Sequence, residues 1–145
     1  VALFLAMDSS VELFKGGVVP LEEFVRMPYD NDILVRLIVK KRPGAFAYQA
    51  VRKQRTDLPT LNCVAAKVGE EYRVVVGSRP ARAMLLCDER GILAGGITEE
   101  SAAAFADYAA GAVPVSGNMW GSAEYRRALV PVLVRRTLLA LGEVR

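Results

Sequence analysis

The sequence predicts an α+β domain, a two-layer sandwich in which an antiparallel sheet of three or four strands carries helices on one face. Three observations predict it. Runs rich in β-branched and small apolar residues, "DILVRLIVKK", "TLNCVAAKV" and "EYRVVVGSR", are separated by turn residues. Towards the C-terminus, two longer stretches place apolar residues at helical spacing behind a capping residue. The second of these, ending in "LVPVLVRRTLLAL", is apolar over more than half its circumference, as a largely buried helix is.

In chain order, "VALFLAM" reads as a strand or the end of a helix, because it is short and runs into Asp8. Residues 11–14 form a strand, Gly16-Gly17 a turn, and "VPLEEF" a short Pro-led helical segment. Residues 33–40 form a second strand, and Pro43-Gly44 a turn. Two strands and a turn are marginal by themselves. Residues 1–42 are therefore expected to complete a sheet supplied by further sequence, and the start at Val1 without a methionine suggests a fragment of something longer.

From residue 43 a second unit begins. In "FAYQAVRKQR" the alternation puts Phe46, Tyr48, Ala50 and Arg52 on one face of a strand. "TLNCVAAKV" and "EYRVVVGSR" meet at Gly69-Glu70, which suits a hairpin. "PARAMLLC" is too short for periodicity to decide between strand and helix, and residues 88–96 are a glycine-rich connection. Thr98 caps a helix whose first turn holds Glu99 and Glu100, where the helix dipole favours negative charge. Ala102, Phe105, Ala106 and Ala109 make its apolar stripe; Gly111 ends it and Pro114 prevents resumption. Ser122 caps the last helix, about 30 Å long to Leu141, with one backbone hydrogen bond deleted and a kink expected at Pro131. Two adjoining stripes are expected to be covered: Leu129, Val132, Leu133, Arg136 and Ala140, and beside them Val130, Val134, Thr137, Leu138 and Leu141.

Composition narrows the chemistry. The 145 residues are 52% hydrophobic and 24% charged, with a net charge of +3. That excess is too small to argue for nucleic acid, and the basic clusters at 40–42 and 52–55 read as solvated faces. No apolar run reaches the roughly 18 residues of a membrane span. Cys63 and Cys87 lie in apolar runs and read as reduced thiols of a cytoplasmic protein. Without CxxC or histidine, no nitrogen and sulfur ligand set for a metal is expected. A serine nucleophile would lack its usual base. Glu22-Glu23, Glu70-Glu71 and Glu99-Glu100 sit at turns or helix starts, so no catalytic residue is assigned. "GGVVP" and "GSRPAR" fit neither phosphate-loop pattern and read as turns. Arg126 and Arg127 point about 100° apart on a helix, so only one can face the core. Either one is a surface residue while the other bonds backbone carbonyls or Glu124, or the pair contacts a partner subunit.

"YQAVRKQRTDLPTLNCVAA", "VVVGSRPARAMLL" and "GSAEYRRALVPVLVRRTL" together resemble the C-terminal domain of the flavoprotein subunit of the xanthine dehydrogenase and carbon monoxide dehydrogenase family. The residues that carry the resemblance are Tyr48, the stretch 52–57, the Ala-rich strand 64–66, Gly77 with Pro80 and Arg82, and above all the "EYRR" helix start at 122–127. Residues 1–42, with "VPLEEF" and "DILVRLIV", resemble the tail of the preceding FAD-binding domain. The resemblance implies FAD in the full-length protein, passing electrons from iron–sulfur clusters to NAD or another acceptor. It also implies a molybdopterin-binding subunit and an iron–sulfur subunit as partners. It places Leu34 near the flavin ring, and Tyr48 and the following segment with Arg52 beside it. The glycine-rich phosphate loops of the family have no counterpart in these residues, so this chain alone is not expected to hold FAD. Three positions depart from the family pattern: Ala50 stands where the family has Lys, Val39-Lys40 where it has Pro, and Val18 where it has Arg. The loss of the Lys leaves open an alternative, a subunit-interaction module that no longer binds flavin.

Overall fold

A computed structural model describes residues 1–28 and 31–144. The chain folds around a four-stranded antiparallel sheet in the order β4-β5-β6-β7, formed by Gly44–Val51, Leu61–Val68, Glu71–Gly77 and Met84–Cys87. The β5–β6 hairpin turns at Gly69-Glu70, where Gly69 has φ +62°, a conformation that glycine takes without a Cβ clash. Residues 84–87, which periodicity left undecided, pair with β6 as a strand.

Both faces of this sheet are covered. Strand alternation sends Cys63, Ala65, Val74 and Val76 to one face, where α3 (Glu99–Ala112) and α4 (Ala123–Gly142) pack on them. The predicted α3 stripe, Ala102, Phe105, Ala106 and Ala109, is buried throughout. Its N-cap is closed by a reciprocal pair in which Thr98 Oγ1 accepts from Ser101 N and Ser101 Oγ accepts from Thr98 N. In α4, the buried residues are Arg126, Val130, Leu133, Val134, Thr137, Leu138 and Leu141. The second predicted stripe is therefore the core stripe. The first is only partly covered, since Val132 and Arg136 face solvent. The buried Arg126 extends that face towards the N-terminus of α4.

The opposite face, with Val64, Ala66, Val68, Val75 and Leu85, carries the elements formed by the described residues up to Ile38. These comprise α1 (Ala2–Ala6), α2 (Leu21–Phe24) and a three-stranded antiparallel sheet ordered β2-β1-β3. Its strands are Gly17–Pro20, Ser10–Leu13 and Leu34–Ile38. Gly17–Pro20, expected to be a turn running into a helix, is thus a strand paired along β1. Val11 and Leu13 point into the core, while outward-facing Glu12 pairs with Arg36 across the strands. Arg73 ties the two parts together: it is 4% exposed, donates to Leu5 O at 3.2 Å, and lies 3.2 Å from Glu71 and 3.7 Å from Glu22.

Cys63 and Cys87 pack against opposite faces of the sheet and are free thiols. Burial pushes the Cys63 thiol up to about 12. Burial and the nearby Glu71 carboxylate raise Cys87 to about 11. Among the described residues no helix is long and apolar enough to cross a membrane. None of them form a group of three or more His, Cys, Asp or Glu placed to hold a metal ion.

Candidate functional site

An apolar cleft of about 760 Å³ lies between the N-terminal segment and the end of the four-stranded sheet. Phe4, Leu13, Phe24, Met27 and Leu34 supply apolar wall. Leu34, half exposed on β3, is on its rim. The sheet contributes Asn62 from β5, Gly77 from the end of β6, and Ser78. Strand register sets them side by side, because Asn62 pairs with Gly77. The Asn62 Nδ2 donates to Ser78 Oγ at 2.9 Å, while Asn62 Oδ1 is buried with no partner among the described residues. A Cβ on residue 77 would sit 2.4 Å from that oxygen, so any other residue there displaces the Asn62 side chain. Ser78 adopts φ +59°, a strained conformation for a residue with a Cβ. Arg82 fastens the far wall by donating to the carbonyls of Phe24, at the end of α2, and of Val25 and Met27 beyond it.

The walls are largely apolar, and Asn62 Oδ1 beneath them is closed off from the cleft. They do not fit a pyrophosphate. Among the described residues the cleft offers no glycine-rich loop leading into a long helix, and its Arg82 donates to backbone carbonyls. Asn62, Gly77, Ser78 and Arg82 carried only a weak sequence signal: "GSRPAR" looked like a turn, and nothing local pairs residue 62 with residue 77.

The other predicted ring-side residues sit apart from the cleft lining. Tyr48 is half exposed on edge strand β4, on the same sheet face as Phe46 and opposite Val64. Arg52, just past β4, donates from Nη2 to Tyr48 Oη at 3.4 Å and from Nε to Asp57 O at 3.1 Å. The structure therefore brings Tyr48 and Arg52 together and leaves Leu34 on the other sheet. Ala50 pairs directly with Asn62, so its Cβ points to the cleft's side of the sheet.

The arginine pair at the start of α4 divides its roles. Arg127 is exposed, whereas Arg126 is 1% exposed. The Arg126 guanidinium donates to Thr60 O (2.8 Å), Ser116 O (2.8 Å), Gly121 O and Asn118 Oδ1 (2.6 Å). This is the alternative in which one arginine bonds backbone carbonyls, and the acceptors come from two distant loops. Desolvation lowers the Arg126 pKa, an electrostatic cost that these acceptors offset.

The model of the CO dehydrogenase flavoprotein C-terminal domain family matches residues 46–141. No curated protein matches the sequence. Among solved structures, the chain superposes on quinoline 2-oxidoreductase from Pseudomonas putida 86 with a TM-score of 0.75 and 17% identity, covering 98% of this chain and 55% of that one. A carbon monoxide dehydrogenase from Hydrogenophaga pseudoflava gives 0.73 and 22%, covering 97% and 55%. A reconstituted CO dehydrogenase from Oligotropha carboxidovorans gives 0.77 and 17%, again covering 97% and 55%. At these identities the likeness shows the fold, and the chain spans about half the length of the solved chains it matches.

Proposed function

The chain belongs to the CO dehydrogenase flavoprotein C-terminal domain family, and on that premise we propose that it is part of an FAD-binding subunit of a molybdopterin-dependent oxidoreductase of the xanthine dehydrogenase type. Residues 1–42 are in this reading the tail of the FAD-binding domain, and residues 43–145 the C-terminal domain. The subunit works beside a molybdopterin-binding subunit and an iron–sulfur subunit in the cytoplasm. Bound FAD would supply the electron-transfer chemistry between the iron–sulfur clusters and NAD or another acceptor. This chain supplies no bond-making residue. Its part is to hold one side of the ring: Leu34 and the apolar wall exclude water, and Tyr48 with Arg52 stands at the edge strand. The match over residues 46–141 carries the reading, and the apolar cleft with Leu34 on its rim supports it.

Leu34→Asp in the full-length subunit tests it. The substitution puts a carboxylate on the apolar rim, so flavin affinity should fall at least tenfold while the thermal unfolding of the apoprotein stays near that of the parent, because Leu34 is already half exposed. Unchanged affinity would count against a ring beside Leu34. One observation favours a second reading, an interaction module without flavin: Ala50 stands where a charged lysine would face the cleft. A colourless full-length protein would decide for that reading.

A further inference from the structure

Among the described residues that line the apolar cleft, Asp32, Asn62, Ser78 and Arg82 carry polar side chains. Three of them are committed to the protein itself. Asp32 accepts from the backbone N–H groups of Lys15, Gly16 and Ile33. Arg82 donates to the carbonyls of Val25 and Met27. Asn62 donates from Nδ2 to Ser78 Oγ at 2.9 Å, and its Oδ1 is closed off. Ser78 differs from these. Its oxygen accepts from Asn62, but its own hydroxyl hydrogen meets no acceptor among the described residues. A hydroxyl donor in apolar surroundings is unfavourable until an acceptor reaches it.

The backbone makes this hydroxyl costly to place. Ser78 holds φ +59°, which glycine would adopt without strain. The conformation is imposed from both sides. Before it, Asn62 pairs with Gly77, and the missing Cβ at residue 77 leaves the Asn62 side chain its room. After it, Arg79 donates to Arg82 O at 2.9 Å and to Pro114 O at 2.7 Å, and Ser116 N donates to Arg79 O at 3.3 Å. Strain of this kind persists where the surroundings over-determine the backbone. The result is a fixed donor on the wall of a largely apolar cleft, the arrangement by which small-molecule sites orient what they bind.

We infer that Ser78 is a specificity-determining residue of the flavin site, its hydroxyl donating to a carbonyl oxygen on the pyrimidine edge of the FAD ring. Asn62 is the positioning residue that holds the serine oxygen from the protein side. A ligand of similar apolar surface without a carbonyl leaves the hydroxyl unmet, and one hydrogen bond then separates the two. The inference rests on the proposed reading of this cleft as one side of the flavin site.

The test uses the full-length subunit stripped of flavin and titrated with FAD, with affinity read by fluorescence quenching. Infrared difference spectra report the carbonyl stretches of the bound ring, and circular dichroism the melting of the apoprotein. Ser78→Ala and Ser78→Gly both remove the hydroxyl, so each should weaken FAD binding by roughly five- to tenfold. In both, a ring carbonyl stretch should move to higher wavenumber as its hydrogen bond is lost. Because glycine accepts φ +59°, the Ser78→Gly apoprotein should melt above Ser78→Ala, so that affinity and stability part company. Lys41→Glu, exposed and outside the cleft lining, should match the parent in all three readouts. Parent-like affinity and carbonyl stretches in both serine variants would overturn the inference and leave the flavin reading standing. Affinity that merely follows melting temperature across the variants would also overturn it, since Ser78 would then be structural. A folded parent subunit that binds no FAD would instead overturn the flavin reading, and the inference with it.

Discussion

Replacing Arg126 with methionine removes a guanidinium while keeping most of the buried aliphatic volume. Four acceptors lose their donor: the carbonyls of Thr60, Ser116 and Gly121, and Asn118 Oδ1. Hydrogen bonds to a charged group contribute about 1.5–3 kcal/mol each. The gross loss is therefore about 6–12 kcal/mol. Against it stands the several kcal/mol needed to strip water from a buried cation, which methionine does not require. Water can also reach some of the loop carbonyls once the guanidinium is gone. The net expectation is a loss of about 3 kcal/mol, or roughly a 10 °C fall in melting temperature for a chain of this size. Urea and thermal denaturation followed by circular dichroism read both quantities. Arg127→Met, at the exposed neighbour, should stay within about 0.5 kcal/mol of the parent. The reasoning fails if Arg126→Met is as mild as Arg127→Met, since a guanidinium that braces two loops cannot be removed without cost.

Two further outcomes follow from the cleft and the core. Gly77→Ala forces a Cβ against Asn62 Oδ1 and breaks the Asn62–Ser78 hydrogen bond, for about 2 kcal/mol by urea denaturation; Asn62→Ala should relieve most of it, whereas Gly95→Ala, with open space around it, should be neutral. Cys63 is raised in the folded state to about 12 from an ordinary value of 9.0, so its stabilising contribution is complete below pH 9 and is lost as the pH rises from 9 through 12. At pH 8 a thiol reagent should therefore leave native Cys63 unmodified, react slowly with the partly exposed Cys87, and modify both at once in denaturant; rapid labelling of native Cys63 would contradict its burial.

How much was legible in the sequence depended on how local the cause was. Thr98 and Ser122 announce their helices because a cap and its partner lie three residues apart. Gly69 announces the β5–β6 hairpin because the turn chemistry sits in two residues. Gly17–Pro20 did not read as a strand, since its residues are largely exposed and its pairing is supplied by β1. The core stripe of α4 was found only in part, because its first member is an arginine whose burial is permitted by carbonyls at residues 60, 116 and 121. The floor of the cleft was hidden for the same reason: Asn62 meets Gly77 and Ser78 through strand register, which no window of sequence displays. Of the three predicted ring-side residues, Leu34 alone lines the cleft, while Tyr48 and Arg52 face the surface of the edge strand.

The most direct measurement is the amount of flavin released from the purified full-length subunit, set against its protein concentration. About one FAD per subunit is the result expected of a flavin carrier whose ring rests beside Leu34. A folded full-length subunit that assembles with its partners yet releases no flavin would contradict it.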